Sequence, residues 1–256
     1  MGRLLDAAKK AAVEAGQLQL SLFGNNVTVT KKVNGEEVTN VDIESEHFIT
    51  QALRRESPSY CFLGEETGTT GSGEYQWIID PIDGTANFIR HLPYFAVSIA
   101  LIRDQTSVLG VVYLPKLDEL FWAESDGAYL NGERISVSTG SDLKVLAMDW
   151  NLRRETNFER NMRWFRDVMS HSVYFRSFGT SATSIAYLAA GRVDAFLDPG
   201  LSNWDCASAI HIAQQAGARV TTATGEEYSP REPKSSILIS NPSLHPKLLR
   251  MLRTSP

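Results

Sequence analysis

The chain has 256 residues, 43% hydrophobic and 21% charged, which is the composition of a globular protein and excludes a disordered one. Its 25 basic and 30 acidic residues leave a formal net charge of −5, which argues against broad nucleic-acid binding and a polybasic membrane patch. A chain this long buries roughly three quarters of its unfolded surface on folding, so neither a disulfide nor a structural metal is needed to hold it.

Residues 4–22 carry alanine- and leucine-rich helical spacing that stops at Gly24-Asn25. From 27 to 38 the pattern alternates around Asn34-Gly35, a hairpin signal. Ile43, Ile49, Ala52 and Leu53 are spaced for a second helix ending near Ser57-Pro58. Residues 64–73 are rich in glycine and threonine and predict a mobile loop. Strands follow at Trp77-Ile78-Ile79, 95–102, 108–113 and 119–123, and Asn131-Gly132 marks a further hairpin, so a meandering antiparallel sheet is expected. Beyond about residue 140, strands are predicted at 145–150, 173–178, 193–198, 218–221 and 236–240. They alternate with helices at 156–169, 181–190, 204–216 and 243–252, and Gly191 and Gly217 stand where C-terminal caps belong. The expectation is an α+β protein of layered sheets and helices, with an N-terminal lobe over 1–140 and a C-terminal lobe over 141–256.

Cys61 and Cys206 belong to no C-x-x-C pair and read as reduced thiols of a cytoplasmic protein. Lys9, Lys10 and Glu14 interrupt any leader-like apolar stretch, and the apolar run at 95–102, broken by Ser98, is too short to cross a bilayer.

The chemistry concentrates in residues 77–88. An apolar strand runs into Asp80, Pro81 stops the ladder, and Asp83 is followed by Gly84-Thr85. Two carboxylates at a strand end offer hard oxygen ligands to a cation such as Mg²⁺. If the chain turns into a helix at Gly84-Thr85, its free N–H groups make a phosphate seat. Together they suggest metal-assisted phosphoryl chemistry. Two more acidic segments accompany them: Glu65-Glu66 lies in the glycine-rich stretch, and Asp205 follows Trp204 at the start of a helix.

Gly64-Glu65-Glu66-Thr67, residues 77–88 and Trp204-Asp205-Cys206-Ala207 with Ala216-Gly217 together resemble the inositol monophosphatase family, and the likeness runs from about residue 5 to 240. The resemblance implies a lithium-sensitive, Mg²⁺-dependent phosphomonoesterase on an αβαβα layered sandwich, often a homodimer. It implies that Glu65, Asp80 and the carbonyl of Ile82 hold a first metal, that Asp80, Asp83 and Asp205 hold a second, and that Glu65 helps hold a third through water. The N–H groups of Gly84 and Thr85 would receive the phosphate. Glu65 and the Thr85 hydroxyl would position a metal-activated water for in-line attack, with Asp42 hydrogen-bonded to Thr85. Lys31 matches a basic residue near the site, and Asp83, Ser181 and Asp198 fall where relatives touch the alcohol.

Inositol-1-phosphate is the first substrate expected. Asp198 is shorter than the glutamate of many inositol-specific relatives, which keeps histidinol phosphate, fructose-1,6-bisphosphate and nucleotide 3′-phosphates as alternatives. A partner-binding protein that retains the site is the non-enzymatic alternative. A haloacid-dehalogenase-type phosphatase is disfavoured, because Pro81 stands where its nucleophilic aspartate would be. No membrane or nucleic-acid partner is expected.

Overall fold

The computed structural model describes residues 1–25, 27–149 and 158–254. Helix α1 (Gly2–Leu22) leads into a hairpin of β1 (Val29–Lys31) and β2 (Glu37–Thr39), followed by α2 (Asn40–Glu56). An eight-stranded sheet comes next, built from β3 (Cys61–Gly64), β4 (Gly68–Thr70), β5 (Tyr75–Asp83), β6 (Ala96–Arg103), β7 (Thr106–Leu114), β8 (Glu119–Glu124), β9 (Gly127–Leu130) and β10 (Glu133–Ile135). A short helix, α3 (Thr85–Ile89), interrupts it after β5. The five-stranded sheet contains β11 (Val145–Ala147), β12 (Tyr174–Arg176), β13 (Ala195–Ser202), β14 (Arg219–Thr221) and β15 (Lys234–Ser240). Its helices are α4 (Phe158–Met169), α5 (Ser181–Ala189), α6 (Asn203–Gln215) and α7 (His245–Thr254).

Three apolar clusters define the layers. Leu5, Ala8, Ala11, Ala12 and Ala15 of α1 recur every three or four residues and pack, with Ile49 and Leu53 of α2, onto Trp77, Ile79, Val97, Ile99 and Leu101. The opposite face of that sheet meets α5 and α6, whose far sides reach Phe196, Ile237 and Ile239 of the five-stranded sheet. Beyond that sheet lie α4 and α7, through Trp164, Val168, Leu248 and Leu252. The architecture is therefore an αβαβα layered sandwich, as the α+β reading expected.

Side-chain size sets the layer spacing. Gly110 on β7 lies so close to α6 that a Cβ there would stand 2.4 Å from the Ser208 carbonyl oxygen. Ser98 of β6 reaches the same helix, its hydroxyl 2.7 Å from that of Ser208 and 3.2 Å from the Trp204 carbonyl. The first two turns of α6 are thus pressed against the centre of the sheet.

Two expectations change. Residues 64–73, read as a loop, contain strand β4, which pairs antiparallel with β3. The glycines serve the hairpin: Gly68 and Gly71 adopt φ of 67° and 79°. Ile43, read with the apolar positions of α2, is 49% exposed, because the inward stripe holds Asp42, Ser45, Glu46, Ile49 and Leu53. The predicted start of the fourth helix at 156 and the end of the strand at 150 lie outside the described residues.

Candidate active site

The site begins with an irregularity in β5. Asp80 pairs with Ser98 and Asp83 with Ala96, so three steps on one strand oppose two on its neighbour. Strand side chains alternate, and residues three apart would normally face opposite ways. The extra residue at Pro81-Ile82 restores the parity and puts both acids on the face toward α6. Ile82 turns the other way, into a cluster with Val41, Phe88 and Phe95. The Ile82 N–H donates to Asp80 Oδ1 at 3.0 Å, and the Gln19 amide donates to the Pro81 carbonyl at 2.8 Å, fixing the bend.

Glu65 follows β3, the parallel neighbour of β5, and its N–H donates to the Ile79 carbonyl at 3.1 Å. Asp205 stands in the first turn of α6, where the Ser202 N–H donates to its Oδ2 at 3.3 Å. One carboxylate oxygen each from Glu65, Asp80 and Asp205 can be chosen so that all lie within 4.8 Å of one another. Three hard oxygen donors in that space, from three distant segments, fit a divalent cation.

The electrostatics call for one. Burial raises the Asp80 carboxyl well above its ordinary pKa, and Glu65, Asp83 and Asp205 raise it further. Burial followed by Asp83 and Glu65 does the same to Asp205. Asp83 is pushed up to about 7 by burial, although the Thr180 hydroxyl and the Ala182 N–H at 2.6 Å both donate to its Oδ2. Burial and neighbouring acids thus favour the protonated forms of Asp80, Asp83 and Asp205, a penalty that a nearby cation would offset. Part of the repulsion is offset by helix N-termini: Asp42, Asp83 and Asp205 each accept from backbone N–H groups at the starts of α2, α5 and α6.

Thr85 opens α3, and its hydroxyl lies 2.9 Å from Asp42 Oδ1 and 3.0 Å from the Ile82 carbonyl. Asp42 also closes a capping box on α2 by accepting the Thr39 N–H at 2.8 Å, so it serves helix and site together. Burial raises its pKa against the donors Thr39 and Thr85. Gly84 has φ 98°, and a Cβ there would sit 3.1 Å from the Tyr94 carbonyl. A side chain is therefore excluded where the chain turns into α3, and the first N–H groups of that helix have no intrahelical acceptor. Ser181, buried, directly follows Thr180 at the start of α5. Asp198, also buried, accepts the Gly200 N–H at 2.7 Å and faces Asp205 closely enough to raise its pKa.

The inositol monophosphatase family model matches residues 1–256 of this chain. The chain belongs to the inositol monophosphatase family. It is a phosphoric monoester hydrolase of that metal-dependent family. Among its relatives, the inositol-1-monophosphatase of Caulobacter vibrioides is 34% identical, over 98% of this chain and 100% of that protein. The fructose-1,6-bisphosphatase/inositol-1-monophosphatase of Aquifex aeolicus is 35% identical, over 98% and 96%. The crystal structure of the extragenic suppressor protein suhB from Bartonella henselae superposes with a TM-score of 0.93 at 34% identity, covering 99% of this chain and 100% of that one.

The fold thus brings carboxylate oxygens of Glu65, Asp80 and Asp205 together, with Asp83 close enough to raise the pKa of Asp80 and Asp205. The Ile82 carbonyl and Asp42 both accept from Thr85, Ser181 follows the Thr180 that holds Asp83, and Asp198 faces Asp205. Lys31 is exposed, and the cation that reaches the acids is Lys32, whose Nζ lies 2.7 Å from both Glu65 Oε1 and Glu66 Oε1. Lys32 stands just past the end of β1, where strand alternation no longer tells which of two adjacent lysines turns inward. Burial works against the Lys32 charge, but Glu65 and Glu66 outweigh it and raise its pKa.

Two acids escaped the sequence reading. Asp149 accepts the Gly179 N–H at 2.7 Å and the hydroxyls of Ser177 and Ser184, steadying the turn into α5. Glu46, fully buried, holds the turn after Glu65. Its signal was the i, i+4 spacing from Asp42, which puts two acids on one helix face.

Proposed function

We propose that the protein is a Mg²⁺-dependent phosphomonoesterase acting on a small polyol or sugar phosphate, with inositol-1-phosphate as first choice, by in-line attack of water on phosphorus. The observation that carries the reading is the convergence of Glu65, Asp80 and Asp205 oxygens within 4.8 Å beside the Gly84-Thr85 helix start. Glu65, Asp80, Asp83, Asp205 and the Ile82 carbonyl would hold the ions, with oxygen donors of the kind Mg²⁺ prefers. A bound divalent cation supplies positive charge to phosphate oxygens and lowers the pKa of water beside it.

The remaining work falls to the protein's own groups. The Gly84 and Thr85 N–H groups receive phosphate oxygens and hold phosphorus at one position. With Asp42 accepting the Thr85 hydroxyl proton, the Thr85 oxygen lone pairs are left to accept from the attacking water. Glu65 supplies the second acceptor, so the water is aimed by two fixed partners. Asp83 is itself held by Thr180 and Ala182 and couples the start of α5, hence Ser181, to the reacting end of the substrate.

Phosphate release from inositol-1-phosphate, histidinol phosphate, fructose-1,6-bisphosphate and a nucleotide 3′-phosphate, each with Mg²⁺, tests the reading. The expected result is turnover of at least one of them, inositol-1-phosphate fastest. Turnover of none would contradict the phosphatase assignment, and a different leading substrate would correct the specificity. Trapping with a phosphate analogue should give no aspartyl-phosphate.

A further inference from the structure

Glu46 sits on the buried face of α2 and none of its surface is exposed. Its Oε2 accepts the Glu66 N–H at 2.8 Å, and its Oε1 accepts the Thr67 N–H at 3.0 Å and the Thr67 hydroxyl at 2.5 Å. The contact is close enough to exclude a side chain on the preceding residue: a Cβ on Gly64 would stand 2.2 Å from Glu46 Oε1. Glu65, between them, has its own N–H on the Ile79 carbonyl. The backbone is therefore pinned at Glu65 and at both residues after it, leaving the Glu65 carboxylate only its side-chain rotations.

Glu46 lies close enough to Glu66 to raise the Glu66 pKa, a cost to placing it here. Its three partners are all donors, however, and only a carboxylate offers acceptors alone. Asp42, one helical turn earlier on the same face of α2, holds Thr85. One rigid helix face thus sets Thr85 and the Glu65 turn relative to each other.

We infer that Glu46 is a positioning residue for the cation site: it fixes the backbone that carries Glu65, so that the Glu65 carboxylate can share an ion with Asp80 and Asp205. The inference rests on the metal-site reading above. Outer partners that orient a ligand typically change metal affinity by about 10- to 100-fold when lost.

Mn²⁺ binding to the full chain, followed by electron paramagnetic resonance without substrate, tests it. Glu46→Gln keeps the shape but turns a donor toward one of the donors, and is expected to weaken Mn²⁺ by about 10-fold or more. Leu53→Ala, which empties a buried apolar position on the same helix, is the control for general loosening; it should lower Tm and leave Mn²⁺ affinity within about 2-fold. Unchanged affinity in folded Glu46→Gln would overturn the inference, as would an equal loss in Leu53→Ala at matched Tm. If Glu46→Gln does not fold, Thr67→Val removes one of the three bonds from the exposed side; a loss of about 3-fold supports the role and no loss overturns it. Wild-type protein that binds no Mn²⁺ would sink the metal reading itself, a failure distinct from that of Glu46.

Discussion

Asp80 and Asp83 share one face of β5 because the strand carries an extra residue between its pairings with Ser98 and Ala96. The bulge gathers like charges that alternation would have separated, so the site is built against the stability of the metal-free protein. Asp80→Asn should therefore raise the Tm of chelator-treated protein at pH 8, shrink the Tm gain given by Mg²⁺, and lower kcat by at least about 100-fold. Thermal unfolding with and without Mg²⁺, alongside phosphate release, checks all three. A variant that is less stable yet fully active would contradict the assignment.

Metal binding should release protons. The Asp80, Asp83 and Asp205 carboxyls are raised by burial and by neighbouring acids, Asp83 to about 7, so below that pH a cation must displace protons to bind. The stability sign is that of a raised acid: the folded, metal-free protein holds more protons than the unfolded chain, and stability present below about 4 is lost as pH rises through about 7. Mg²⁺ affinity runs the other way and tightens over the same rise. Calorimetric titration at pH 6.5 in two buffers of different ionisation enthalpy should show net proton release, shrinking at pH 8.5. Identical heats in both buffers would contradict this.

The layered fold was legible because its carriers are local. The 3.6-residue period of α1, the Asn34-Gly35 and Asn131-Gly132 turns, and the glycines ending α5 and α6 each act within a few residues. The acids of residues 77–88 and Asp205 were legible as motifs, but nothing local required them to meet. That depends on the bulge in β5 and on Gly110 admitting α6. What stayed hidden was set by partners far along the chain. Glu46 faces Thr67, Asp149 faces Ser184, and the inward turn of Lys32 is decided by Glu65 and Glu66. The displaced Ile43 follows from the same cause, since the stripe that apolar residues would occupy is taken by acids serving the site.

Gly110→Ala should damage the site from a distance. The added methyl meets the Ser208 backbone at 2.4 Å, and a helix backbone does not yield as a flexible side chain does. Overpacking of this kind costs about 1–3 kcal/mol. A shift of α6 also carries Asp205 away from Asp80. The expected outcome is a lower denaturant midpoint together with weaker Mg²⁺ activation; a variant with wild-type stability and activity would contradict the close packing of α6 on β7.

His211, within α6, is buried without a hydrogen-bond partner on Nε2 among the described residues, and burial lowers its pKa to about 4 from 6.5. The unfolded chain takes up this proton first, so stability is lost as pH falls from about 6.5 to about 4, by about 3 kcal/mol in all. His211→Leu, which cannot charge, should flatten that limb in urea unfolding between pH 7.5 and 4.5. A wild-type and variant difference that does not change with pH would contradict a neutral buried imidazole.

If acids from three separated segments make one cation site that hydrolysis requires, removing the cation must abolish turnover. Phosphate release from inositol-1-phosphate by chelator-treated protein, followed while Mg²⁺ is added back, tests it most directly. The expected result is no turnover in chelator, restoration by Mg²⁺, and no restoration in Glu65→Gln or Asp205→Asn at the same Mg²⁺ concentration. Full turnover in the presence of chelator would contradict it.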